Sequence, residues 1–228
     1  MNTKEFEKKI GYTFQDINFL ERALTHSSYN KEKNTKHKDN ERLEFLGDAF
    51  FDAIISVELF NRMGQVTEGK LTKTRALIVC EQSLAQVGRD LQIGKHINMG
   101  HGEESAGGRK KDSILADAME AIIGALYLDG GYEAARDFVV KAFEETIEKA
   151  VAGKLFSDYK SEVQELLQKK GHTVNITYEI DKEEGPAHDK TFYVHLECNG
   201  KTLGTGVGKS KKEAEQNAAK ATLERGEI

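Results

Sequence analysis

The sequence predicts two domains of different class: an all-α domain over residues 1–151, a linker at 152–155, and a small α+β domain over residues 156–226 with the order helix, three strands, helix (α-β-β-β-α). Three observations carry this. Before residue 170 the apolar residues recur at helical spacing, and no stretch alternates with the period of two that a half-buried strand needs. Beyond residue 170, three runs that alternate or are rich in aromatic and β-branched residues (174–180, 192–198 and 202–207) are separated by turn-forming segments. Within the helical region a long apolar stretch ends at its own stop signal, Gly130-Gly131, before one more helix closes the region.

Length and composition narrow the function classes. The chain has 228 residues, 38% of them hydrophobic, enough for one or two buried cores. No apolar run approaches the roughly 18 residues of a membrane span, and the start Met-Asn-Thr-Lys-Glu lacks a signal peptide's apolar region, so a cytoplasmic protein with no membrane partner is expected. Cys80 and Cys198 stand far apart in unlike surroundings, which points to neither a disulfide framework nor a zinc site. A net charge of -5 argues by itself against a nucleic-acid partner, so any such partner must be recognised through local patches.

Taken in order, 6–10 and Ile17–Ala23 read as short helices, the second capped by Asp16. A polar loop, 30–39, leads into a long helix, Glu41–Met63. Thr67 is placed to cap a helix over 68–79, and 82–91 forms another. A glycine-rich loop, 94–108, ends in Arg109, Lys110 and Lys111, after which Asp112 or Ser113 caps the apolar helix 114–128. A last helix, 132–151, completes the first domain.

The helix Glu41–Met63 carries an unusual charge pattern. At about 100° per residue, Glu41, Glu44 and Asp48 fall within an arc of about 60°. The residues of strongest core character, Leu43, Leu46, Ala49, Phe50, Ala53, Ile54 and Val57, collect on the other side and are expected to form the packing face. A bland surface helix would interleave bases with its acids, yet Arg42 is the only base in the first five turns. Like charges held together cost energy unless a positive charge lies between them. Phe45 projects beside this stripe and away from the packing face, where a large exposed aromatic would be wasteful unless something covers it.

The helix 114–128 supplies a second acidic pair. It is apolar nearly all round, and apart from Tyr127 its only ionisable side chains are Asp117 and Glu120, one turn apart on one face. An unpaired carboxylate buried in such a helix is expensive. One buried acid could be matched by a neighbouring Arg or Lys, but five acids from two helices are hard to pair that way. A hard divalent cation held through oxygen meets the need, and Mg²⁺ is the usual choice where phosphate is the substrate.

In the second domain Ser210 and Glu213 form an S-x-x-E capping box at the start of the last helix, Lys211–Arg225. Lys209, Lys211 and Lys212 crowd that helix's positive end, an arrangement suited to phosphate and more specific than a solvated lysine cluster. Ala214, Ala218 and Ala221 are expected to line the helix's inner face.

These stretches carry a resemblance. Asn-Glu-Arg-Leu-Glu-Phe-Leu-Gly-Asp at 40–48 resembles the signature of the ribonuclease III family, and Leu24-Thr25-His26-Ser27 and Asp117-Ala118-Met119-Glu120-Ala121 resemble its other nuclease motifs. Tyr159-Lys160, Gln164-Glu165, Gly185-Pro186-Ala187-His188 and Gly208-Lys209-Ser210-Lys211-Lys212-Glu213-Ala214 resemble a double-stranded-RNA-binding domain. Together they cover essentially the whole chain.

The resemblance implies a Mg²⁺-dependent endoribonuclease, with Mn²⁺ as a substitute, that cuts double-stranded RNA such as ribosomal RNA precursors and messenger RNA. It also implies 5′-phosphate ends and short 3′ overhangs. Glu41, Asp48, Asp117 and Glu120 match the family's catalytic carboxylates; Glu44, Asp117 and Glu120, with Glu68, would lie closest to metal. The helical reading alone does not rank the members of the acid stripe. The family's homodimer would bury Phe45 in its second copy. Ser161, Gln164, Glu165 and Gln168 would touch one minor groove, His188 the next, and Lys209, Lys211 and Lys212 the phosphates between them. His26 reads as structural. The competing class is a double-stranded-RNA-binding scaffold with an inactive nuclease fold, against which stand the retained acids of an apolar helix.

Overall fold

The computed structural model describes residues 3–33, 39–155, 159–169, 175–186 and 190–225. The chain divides into two compact units, Met1–Phe156 and Ser157–Ile228. The first is helical: α1 Thr3–Ile10, α2 Ile17–Ala23, α3 Ser27–Lys33, α4 Glu41–Met63, α5 Glu68–Ile78, α6 Glu81–Asp90, α7 His101–Ser105 and α8 Asp112–Val151. The second has the order α9 Tyr159–Lys169, β1 Ile176–Glu184, β2 Thr191–Cys198, β3 Lys201–Gly208 and α10 Lys211–Arg225. Among the described residues no helix is long and apolar enough to cross a membrane.

Local chemistry sets most of these bounds. Asp16 caps α2 by accepting from the Asn18 N–H at 3.0 Å, and the Thr67 hydroxyl accepts from the Lys70 N–H at 3.3 Å at the start of α5. Gly64, with φ of 58°, ends α4, and Gly131, with φ of 77° and ψ of -171°, breaks α8 where the double glycine predicts a stop. Two expectations are corrected. Neither Asp112 nor Ser113 caps α8: Lys111 stands at the cap without a side-chain bond, and Asp112 instead accepts from Arg89. The segments read as loops at 30–39 and 94–108 contain the end of α3 and all of α7, short polar helices without an apolar stripe to betray them.

The packing face of α4 is also corrected. Leu43 and Ile54 are buried as expected, but the rest of the buried set is Gly47, Phe51, Ile55, Glu58 and Leu59. Leu46 and Phe50 are only half-buried, and Ala49, Ala53 and Val57 are exposed. The helix is apolar on two sides, and the periodicity counted the outer one as core. The inner side carries a charge, Glu58, which Arg62 and Arg136 neutralise at 3.3 and 3.2 Å, while Arg62 also grips Glu144 with two bonds of 2.8 Å. That network fastens α4 to the second half of α8, beside the tilted Phe51 and Phe143 rings 4.7 Å apart.

In the second unit β1, β2 and β3 form an antiparallel meander. Val163 of α9, Val194 and Leu196 of β2, Leu203 of β3 and Ala214, Ala218 and Ala219 of α10 make its core. Ala219 and Thr222 complete the buried face of α10, while Ala221, expected there, is half-buried. Small residues there let α10 lie directly on β3. The Ser210 hydroxyl accepts from the Glu213 N–H at 3.2 Å, while the Glu213 carboxylate reaches one residue further than a standard box, to the Lys209 N–H at 2.7 Å.

Candidate metal centre and nucleic-acid surface

The acidic site arises where α4 and α8 cross with their backbones almost touching. A Cβ built on Gly47 would lie 1.8 Å from the Glu120 carbonyl oxygen, and one built on Gly124 would lie 2.3 Å from the Leu43 carbonyl oxygen. Only glycine fits at either point. The entry of α4 is fixed from the other side. The His26 N–H donates to the Asn98 carbonyl at 3.0 Å, the Asn98 N–H to the Leu24 carbonyl at 2.8 Å, and the Asn40 N–H to the Thr25 carbonyl at 2.9 Å. His26 Nδ1 lies 2.7 Å from the Ser28 hydroxyl, which also accepts from the Gly100 N–H at 3.0 Å.

One turn before Gly47 stands Glu44, and one turn before Gly124 stands Glu120, with Asp117 a further turn back. Their carboxylates converge: one oxygen from each of Glu44, Asp117 and Glu120 lies within 4.8 Å of the others. All three are half-buried. Among the described residues this is the one group of three or more His, Cys, Asp or Glu side chains that meets this geometry.

Electrostatics mark the group as uncompensated. Burial, then the charges of Asp48, Glu44, Asp117 and Asp52, push the Glu120 carboxyl up to about 8. Burial, then Asp117, Glu41 and Asp48, raise Glu44. Burial raises Asp117 as well; His26 opposes this and Glu81 adds to it. Three desolvated carboxylates that repel one another are a poor structural device and a good all-oxygen donor set for a hard cation.

The remaining expected acids lie around this centre at different distances. Asp48 and Glu41 are exposed on the same stripe and act on the group through charge. Glu68 stands apart within the single chain, at the start of α5, where its carboxylate accepts from the Thr72 hydroxyl at 2.7 Å in a groove shared with Ser56, Phe60 and Arg75. Phe45 is 81% exposed and heads an outward apolar stripe with Val57, Phe60 and, from α8, Leu128. A groove of about 480 Å³ opens beside it between Arg22, Arg42, Leu46 and Leu128.

Sequence reasoning missed Gly47, Gly124, Asp52 and Glu81. Asp52 continues the acid stripe one turn further and could have been read from it. Glycines inside apolar helices signal a close approach, but not to which partner.

In the second unit Ser161, Gln164, Glu165 and Gln168 share the exposed side of α9, away from buried Val163. Gln164 and Gln168 line a groove with Lys160, Asn175 and Tyr178, and the Lys160 ammonium lies 4.3 Å over the Tyr178 ring. Lys209, Lys211 and Lys212 are exposed around the start of α10. His188 lies outside the described residues.

Comparison with known proteins agrees with both units. A Ribonuclease-III-like family model matches residues 16–147 and a double-stranded RNA binding motif matches residues 159–225. Ribonuclease 3 of Clostridium perfringens is 50% identical over 230 residues, covering 100% of this chain and 96% of its own length. Ribonuclease 3 of Clostridium acetobutylicum is 49% identical over 217 residues, covering 95% of this chain and 93% of its own. Among solved structures, the nuclease domain of ribonuclease III from Campylobacter jejuni, described with a region involved in dimer formation, superposes with a TM-score of 0.60 at 42% identity; it covers 63% of this chain and 97% of that one. With matching domains in matching order, and half its residues shared with full-length relatives, this chain belongs to the ribonuclease III family.

Proposed function

We propose that the chain is a Mg²⁺-dependent endoribonuclease that hydrolyses phosphodiester bonds of double-stranded RNA, leaving 5′-phosphate ends and short 3′ overhangs, with Mn²⁺ able to replace Mg²⁺. The observation that carries the reading is the convergence of Glu44, Asp117 and Glu120 in a chain that also holds a double-stranded RNA binding motif. A bound divalent cation would supply Lewis-acid polarisation of the phosphoryl group and a water of lowered pKa. Glu44, Asp117 and Glu120 would hold it. Asp48 and Glu41, on the exposed lip of the stripe, would orient the attacking water and the scissile phosphate. Glu68, which does not join the three within one chain, is the weakest member of the set.

The outer face of α4 supports a homodimer. Phe45 exposes most of its ring on a groove where Leu46 and Leu128 lie among Arg22, Glu41 and Arg42, and a second copy of the chain would cover both. The related Campylobacter jejuni domain is described as having a region involved in dimer formation, which agrees. Two acid centres on one duplex would each cut one strand, and phosphates facing across a minor groove are offset along the sequence, which yields the overhang.

Binding falls to the second unit. Ser161, Gln164, Glu165 and Gln168 face outward together to read 2′-hydroxyls in one minor groove, His188 reads the next, and Lys209, Lys211 and Lys212 bridge the phosphates between them. The enzyme works in the cytoplasm on ribosomal RNA precursors and messenger RNA.

The test is incubation of end-labelled long duplex RNA, single-stranded RNA and duplex DNA with the chain, with and without Mg²⁺. Cleavage of duplex RNA alone, dependent on Mg²⁺ and ending in 5′-phosphates with staggered 3′ ends, is the expected result. Binding of duplex RNA without any cutting would leave a scaffold in its place.

A further inference from the structure

One carboxylate of the second unit occupies two cations at once. Glu183, near the end of β1, accepts from Lys190 Nζ at 2.7 Å through Oε2, and its Oε1 lies 3.7 Å from Lys211 Nζ. Lys211 opens α10 among the lysines assigned to phosphate, and its ammonium stands 5.9 Å over the Phe192 ring, the cross-strand partner of Glu183. Lys190 belongs to no motif, yet it immediately precedes β2 and directly follows residues 187–189, where the minor-groove histidine sits in the sequence. The next residue, Glu184, is bound by a different set: Lys182 at 2.8 Å and the Tyr193 hydroxyl at 2.9 Å. Strand alternation therefore separates two neighbouring acids, one on phosphate-binding cations and one not.

We infer that Glu183 is an intramolecular competitor for RNA phosphate, holding Lys190 and Lys211 until a duplex displaces it, and that Lys190 is a further phosphate-binding residue. The inference rests on the proposed duplex-RNA binding of this unit. Affinity for a polyanion comes largely from release of the counterions that phosphate neutralisation makes redundant. A carboxylate already seated on an ammonium group lowers the field that group offers to phosphate. Exposed ion pairs are weak and readily exchanged, so the carboxylate tunes affinity without abolishing it. Glu183 thus lowers the affinity of a basic patch that would otherwise hold any RNA tightly.

The test uses the full chain, EDTA to prevent cleavage, a fluorescent duplex RNA, and a salt series. E183Q is expected to tighten binding about 3- to 10-fold at moderate salt and to steepen the slope of log K against log salt by up to about 0.9 for each additional phosphate neutralised. E184Q removes the same charge one residue away and is expected to stay within about 2-fold with its slope unchanged. K190Q is expected to weaken binding, and K190Q with E183Q to lose most of the improvement; a thermal melt of each variant confirms folding. E183Q no tighter than E184Q, or tighter with an unchanged slope, overturns the competition. A wild-type chain that binds no duplex RNA at all would overturn the proposed function, and this inference with it.

Discussion

Gly47 of α4 lies against the backbone carbonyl of Glu120 of α8, so closely that a Cβ on Gly47 would stand 1.8 Å from that oxygen. The same crossing brings Gly124 onto the Leu43 carbonyl. Helices packed through ordinary side chains sit 8–10 Å apart, and the two glycines let α4 and α8 approach more closely than that where the acids stand one turn away. Here the missing side chains allow the acids to converge. Replacing Gly47 with alanine is expected to push the helices apart, costing about 1–3 kcal/mol of stability and cleavage activity out of proportion to that loss. Thermal melts alongside single-turnover cleavage measure both, and an active, fully stable G47A would refute the crossing as the organiser of the site.

Ionisation of the three acids opposes folding when no cation is present. A carboxyl whose folded value lies above its unfolded value contributes stability when protonated; that contribution is full below its ordinary range and is lost as pH rises through the folded value. For Glu120 the window runs from ordinary carboxylate values up to about 8. The EDTA-treated chain is therefore expected to lose melting temperature across that window, and Mg²⁺ to raise it more at about pH 8.5 than at about pH 6. E120Q should flatten both effects. Equal Mg²⁺ shifts at the two pH values would contradict the assignment.

Phe45 tests the second copy. Truncating a central exposed aromatic at an interface commonly costs about 2 kcal/mol or more, roughly a 30-fold rise in Kd. F45A is expected to shift the dimer toward monomer in sedimentation velocity while leaving the monomer's fold intact, because the ring is 81% exposed within one chain. A wild-type chain that sediments as a monomer at micromolar concentration would remove the dimer from the account.

How much of this was legible in the sequence differs by element. The bounds of α4 and α10 could be read because Gly64 ends the first helical run and the Ser210–Glu213 cap opens the second. The pairing of the 40–48 stripe with Asp117 and Glu120 was also legible, since acids in an apolar helix demand a partner. The buried side of α4 was not. Its outer residues Ala49, Ala53 and Val57 are as apolar as a core, while its inner side contains a charged Glu58, and periodicity does not say which apolar face the chain itself covers. Nor did helical periodicity rank the acids, although the family resemblance put Glu44 closest to metal: Glu44 differs from Glu41 and Asp48 in meeting Asp117 and Glu120, a tertiary fact. The placing of Ala221 on the inner face of α10 is the same error of rotation on a smaller scale.

Separate units predict separable functions. Removing residues 157–228 leaves the acid centre whole, because Glu44, Asp117 and Glu120 all belong to the first unit. The shortened chain is expected to bind duplex RNA more weakly, to retain residual cleavage at low salt, and to show a shallower salt dependence of binding, as each phosphate no longer neutralised removes about 0.9 from the logarithmic salt slope. Binding and cutting equal to the full chain at every salt would place RNA affinity elsewhere.

The central claim is that Glu44, Asp117 and Glu120 together hold the cation that cuts duplex RNA. Its most direct test is cleavage of end-labelled duplex RNA by the wild-type chain and by E120Q across a Mg²⁺ titration, with duplex binding measured in parallel in Ca²⁺. The account predicts Mg²⁺-dependent double-strand cutting by the wild type, none by E120Q, and comparable binding by both. Cutting by E120Q at the wild-type rate and Mg²⁺ midpoint would contradict it.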